Sequence, residues 1–148
     1  METEKVISTL NRLIETVKDG ENGFRTAVDG LTDPNVKSLF QQYSRQRAEM
    51  ARQLQAEVRR LGSDPEKAGS MAGAAHRGWI NIKSIVTGKD DAAIIAEAER
   101  GEDSAKRTFD EALGEPLPPQ TLALVRELAM KVHDAHDRVR ALEQATAR

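Results

Sequence analysis

The residues with the most scope for chemistry are acids and imidazoles one helical turn apart. Glu99-x-x-Glu102 and His133-x-x-His136 each place two such groups on one side of a helix. Carboxylate oxygens and imidazole nitrogens are the ligands that hold iron or manganese. Di-metal sites inside four-helix bundles take one Glu from each of two helices and Glu-x-x-His from each of the other two. No Glu-x-x-His occurs in the chain, so these two pairs are its nearest equivalents. Cys is absent as well, which excludes disulfides, thiolate metal sites and Cys nucleophiles. There is no glycine-rich phosphate loop and no plausible Ser-His-Asp arrangement.

Helices must position these groups. Val6, Leu10, Leu13, Val17, Phe24, Val28 and Leu31 recur at three- and four-residue steps, which predicts one amphipathic helix over 3–31. Gly20 and Gly23 interrupt it and mark either a kink or a close approach by another backbone. Asp33-Pro34, an N-cap followed by Pro at the first helical position, starts a second helix over 34–61 that stops at Gly62. Ser70 caps a shorter helix predicted over 71–86. There, His76-Arg77-Gly78-Trp79 is expected to pack this segment on the rest, with His76 in a packing or hydrogen-bonding role. Asp90 and Asp91 open a helix over 91–113, and Leu117-Pro118-Pro119 starts the last one, over 118–145. No repeat and no strand signal is present.

Connector lengths choose the topology. The turns at 32–33 and 114–117 are short, so each flanking helix pair is an antiparallel hairpin. The long connection between the hairpins runs back along the bundle and sets the second helix parallel to the 91–113 helix. That is an all-α, ferritin-like four-helix bundle with one long crossover containing an extra short helix, a single domain over 1–148.

Helical-wheel angles then sort the polar candidates. Glu102, Glu21 and Arg47 fall inside the apolar stripes of their helices, as does Tyr43, while Glu99 and His136 fall on the flanks. Asp19, Glu49, His133 and Asp137 point outward, and Glu57 lies at a stripe edge near the end of its helix. Counting turns brings Glu21, Tyr43, Arg47, Glu99, Glu102 and His136 to one mid-bundle level. Unpaired charge there is costly. In the first reading Arg47 neutralises Glu102 or Glu21, and Tyr43 and His136 complete a hydrogen-bonded layer. In the alternative, Glu21, Glu99, Glu102 and His136 bind iron or manganese. An inward Arg supplies the positive charge that a metal would otherwise bring, so the first is preferred and no cofactor is expected.

Composition fits this architecture. In 148 residues, 39% are hydrophobic and 3% aromatic, too few aromatics for an ordinary β-sandwich or barrel. Leu, Ile, Val and Phe make up about a fifth of the chain, a thin core for its length. The net charge of −2 argues against a nucleic-acid-coating role. No apolar run approaches a membrane span, and Met1 to Lys5 has no secretion-signal character, so a cytoplasmic location is expected. Charge is uneven, however. Lys37, Arg45, Arg47, Arg52, Arg59 and Arg60 face only Glu49 and Glu57 on the second helix, whereas the 91–113 helix and its cap are strongly acidic. The two complement each other within one chain, form a self-association surface, or are simply solvated faces.

Six segments in order carry a resemblance that spans nearly the whole chain: Asp19-Gly-x-x-Gly-Phe24, Gln55-Ala-Glu-Val-x-x-Leu-Gly62, His76-Arg-Gly-Trp79, Gly88-Lys-Asp-Asp91, Glu99-Arg-Gly-Glu-Asp103 and Ala135-His-Asp-Arg-Val139. Together they resemble an uncharacterised bacterial family of ferritin-like four-helix bundles, defined by a domain of unknown function. The resemblance implies the ferritin-like fold, a bacterial and cytoplasmic protein, and an association with stress, but it carries no activity. The expected function is therefore a non-enzymatic structural or interaction bundle, with a metal-binding ferritin-like protein as the alternative. A homodimer is expected, because self-association would bury further apolar surface. No nucleic-acid or membrane partner is expected.

Overall fold

The computed structural model describes residues 2–65 and 78–146. Helices α1 (Glu2–Gly30), α2 (Pro34–Arg60), α4 (Asp91–Leu113) and α5 (Pro119–Thr146) form the bundle, and a short α3 (Ile82–Val86) lies in the crossover. No strand occurs among the described residues, and no helix among them is long and apolar enough to cross a membrane.

Local signals set the ends. The Asp33 carboxylate accepts from the Asn35 and Val36 amides at 2.8 and 3.5 Å, and Asp90 does the same for Ala92 and Ala93 at 3.1 and 3.4 Å. The end of α2 is a Schellman turn. Gly62 takes φ +92°, its N–H bonds the Arg59 carbonyl at 2.9 Å, and Ser63 N–H bonds the Val58 carbonyl at 3.1 Å.

Two carboxylates tie the hairpins together end to end. At one end Asp91 accepts from the Thr32 and Asp33 amides, both at 2.8 Å, and from the Thr32 hydroxyl at 3.0 Å. At the other, the Thr121 hydroxyl donates to Glu57 at 2.6 Å. The start of α4 therefore meets the start of α2, and the start of α5 meets the end of α2. This makes α2 and α4 parallel, as the connector lengths predict. They lie diagonally opposite, with α1 and α5 as the neighbours of both.

The core divides into two apolar clusters. One holds Leu10, Leu13, Val17, Met50, Leu54, Phe109, Leu128 and Val132; the other holds Phe24, Phe40, Trp79, Ile94, Ile95 and Val139. Among the described residues, α3 of the crossover packs on α1 and α4. Trp79, 3% exposed, inserts between Gly23 and Gly101, and the Val86 backbone lies on Gly30. A Cβ at Gly101 would stand 2.5 Å from indole Cε2 and Nε1, and one at Gly30 would stand 2.8 Å from Val86 Cα. Gly20 and Gly23 thus make room for side chains, Arg47 and Trp79, rather than for another backbone, and it is Gly30 that a backbone approaches.

The same insertion corrects the crossover helix predicted over 71–86. Positions 71–77, with His76, lie outside the described residues. Of the described positions, 78–81 are bends and turns and Ile82–Val86 is helical. Seating the indole fixes the backbone here. Gly78 lies against the Gly101 backbone, and the Asn81 amide is drawn to the Glu97 carboxylate at 2.9 Å rather than to a helical carbonyl.

Candidate functional site

Between the two apolar clusters lies one charged pair. Arg47 on α2 and Glu102 on α4 are both 0% exposed. The guanidinium takes the carboxylate with both forks. Nη1 donates to Oε2 at 2.8 Å, and Nη2 donates to Oε1. Such bidentate pairing is the strongest geometry available to an Arg and a carboxylate. The Phe24 ring covers the guanidinium at 5.4 Å, and Gly20 leaves room beside Nη1, which an added Cβ would approach to 2.8 Å. Arg47 Nε is buried and has no acceptor among the described residues.

The other expected members of the layer do not join the pair. Tyr43 is half-buried and contributes its ring, 5.3 Å from Phe24, rather than a hydrogen bond to the pair. Burial raises its phenol pKa above the ordinary value, with the Glu102 charge adding to the rise and Arg138 and Arg47 opposing it. His136, 1% exposed, turns away toward Asp103 (Nε2, 2.6 Å) and Asp137 (Nδ1, 3.1 Å). Carboxylates only accept, so both contacts are hydrogen bonds together only when both ring nitrogens carry protons. His136 in turn holds the Asp137 carboxyl below its ordinary range. Glu99 sits half-buried beside the same group, and burial followed by the Asp103 charge pushes its carboxyl up.

Glu21 is a correction. Instead of facing the core it is partly exposed, its carboxylate 3.8 Å from Arg25, while its backbone carbonyl accepts from the Ser44 hydroxyl at 2.9 Å. At this level the buried side of α1 swings toward Gly20, Gly23, Ala27 and Gly30, because the crossover covers it. The same cover buries Asp19 (7% exposed), which was expected to point outward and instead lines a groove with Trp79 and Gly78. Glu57, expected at a stripe edge, is buried (6% exposed), and Glu97 (4% exposed) is a further buried acid. Arg60 grips Glu57 at 2.9 and 2.6 Å and is the main reason that its carboxyl falls below the ordinary value, with Thr121 adding to the effect.

Glu99 and His136 lie together beside Asp103, whereas Glu102 pairs with Arg47 and Glu21 faces Arg25, so the four do not converge. Among the described residues, no group of three or more His or acidic side chains could hold a metal ion. Both oxygens of Glu102 already serve a cation, the Arg47 guanidinium. The residues present do not fit a metal centre in the middle of the bundle.

The fold has a solved counterpart. The structure is similar to a two-domain protein from Anabaena variabilis described as containing DJ-1/ThiJ/PfpI-like and ferritin-like domains, with a TM-score of 0.83 at 17% identity. The likeness covers 99% of this chain and 41% of that one, and at this identity it shows the ferritin-like fold alone. A search of curated proteins found no match. Residues 5–115 match the family described as a domain of unknown function, DUF2383, and the chain belongs to that family.

Proposed function

We propose that the protein is a non-enzymatic structural or interaction bundle, cytoplasmic and homodimeric, in which an arginine stands where a ferritin-like relative would carry metal. The observation that supports this is the Arg47–Glu102 pair. The one carboxylate at the centre of the core spends both oxygens on a buried guanidinium, which leaves no open ligand there. Self-association would cover apolar surface that a thin core leaves outside, including Ile80 and Met130, which are 67% and 68% exposed.

The test is to load the purified full chain with iron or manganese and measure bound metal and melting temperature. The proposal expects sub-stoichiometric metal and an unchanged melting temperature. Stoichiometric metal that raises the melting temperature of the wild type, but not of Glu102→Ala, would overturn it, because a ligand bound only by the folded state stabilises by linkage. Light scattering that finds only monomer at high concentration would remove the homodimer.

A further inference from the structure

We infer that the Arg47–Glu102 pair is a register lock between the two helical hairpins, selecting one axial alignment of α4 against α2. The inference uses the same pair as the proposed function but does not depend on whether the protein binds metal.

The argument begins with what else could set the alignment through the centre of the core. Helices α2 and α4 are diagonally opposite and make no close backbone approach, so only side chains meet between them. Above and below the pair those side chains are Leu, Val, Ile, Met, Ala and Phe. Apolar layers of similar volume tolerate rearrangement and lose uniqueness before they lose stability. The two-pronged contact of a guanidinium with a carboxylate has no such tolerance.

A slip of one helical turn, about 5.4 Å, would bring Ala98 or Lys106 to the level of Glu102. Arg47 and Glu102 would then each lie unpaired against apolar neighbours, which is heavily penalised. Arg47 cannot follow Glu102 in such a slip, since its own hairpin holds it: Gly20 of α1 clears Nη1 and Phe24 of α1 roofs the guanidinium. A buried ion pair seldom repays its desolvation against apolar residues of similar size, and selection of register is its best-attested use.

Trp79 gives a direct readout. It is the single Trp in the chain, and its indole sits between Gly23 of α1 and Gly101 of α4, across the seam that a slip would shear. The experiment compares wild-type full chain with Arg47→Met/Glu102→Leu by ¹H–¹⁵N NMR, circular dichroism and thermal melting. The double variant is expected to keep its helicity and melt close to the wild type, while its indole N–H splits from one resonance into two or more. A single indole resonance at the wild-type shift would overturn the inference, since the glycine slot and the Asp91 tie to the α1–α2 turn would then suffice to set the register. Loss of helicity, or a fall in melting temperature matching that of Glu102→Ala, would overturn it too, because the pair would then be a source of stability. Metal content does not enter this measurement, so its failure and that of the proposed function are distinguishable.

Discussion

Replacing Gly101 with Ala adds one methyl group at the point where the crossover grips the bundle. The new Cβ would lie 2.5 Å from Trp79 Cε2 and Nε1. Carbon contacts settle at about 3.5–4.0 Å, so the indole must retreat by about 1 Å. It has nowhere to go, with Gly23 against its other side and the Phe24 ring 4.9 Å away. Overpacking of this kind costs about 1–3 kcal/mol. Expulsion of the indole sets the ceiling, at about 3–5 kcal/mol, the cost typical of a buried Trp→Ala change. In a Trp79→Ala background the obstacle is gone, and Ala is favoured over Gly inside a helix by about 1 kcal/mol. The substitution should therefore destabilise the wild type and stabilise the Trp79→Ala protein, a change of sign worth about 2 kcal/mol or more between the two. Urea unfolding followed by far-ultraviolet circular dichroism measures all four proteins of the cycle. An equal effect of Gly101→Ala in both backgrounds would refute the glycine slot.

Three further outcomes are expected. Glu102→Ala strands a fully buried guanidinium and should cost about 3–5 kcal/mol in the same unfolding assay; a loss below about 1 kcal/mol would mean that Arg47 finds water or another acceptor. The Glu57 carboxyl is depressed in the folded state, so its contribution is present above the ordinary carboxylate range and is lost as pH falls through its folded pKa. Glu57→Gln should accordingly flatten the acid limb of stability against pH, and an unaltered limb would count against the Arg60 and Thr121 bonds. The Glu99 carboxyl is raised, so its contribution is present at low pH and lost as pH rises through its folded pKa. Glu99→Gln should gain stability relative to the wild type at pH 7 compared with pH 3, and the opposite trend would contradict its burial beside Asp103.

The parts of the fold legible in the sequence were those decided by a few adjacent residues. Asp33, Asp90 and Gly62 act within their own turns, and the four long helices begin and end within one residue of the sequence expectation. Topology followed because short turns force antiparallel pairs. The crossover was not legible in the same way. Its periodicity suggested a helix through Trp79, but the indole's place is set by Gly23 and Gly101 on two other helices. Arg47 and Glu102 were found because they lie on faces whose burial follows the apolar stripe. Glu21 and Asp19 were misplaced because their exposure depends on which side the crossover covers. A signal was available: Gly20, Gly23 and Gly30 line one side of α1, and Gly101 offers the same on α4. A stripe without side chains inside a long helix implies a body pressed against it.

The charge imbalance between α2 and α4 follows the same logic. From the sequence, the acids of α4 fitted contacts within one chain, a surface for another copy, or solvated faces. Five of them are engaged within the chain, by four other elements. Asp91 takes the amides of the α1–α2 turn, Glu97 the Asn81 amide, Glu102 the Arg47 fork, Asp103 His136, and Asp110 His133 at 2.8 Å. Carboxylates suit this position because each accepts several hydrogen bonds and donates none, and the groups presented to α4 by the turn, the crossover, α2 and α5 are all donors. Helix α4 is therefore acidic along its length for internal reasons. The outward cations of α2, Lys37, Arg45 and Arg59, are exposed to solvent, because α4 lies diagonally across the bundle from α2 and their side of the helix faces away from its acids.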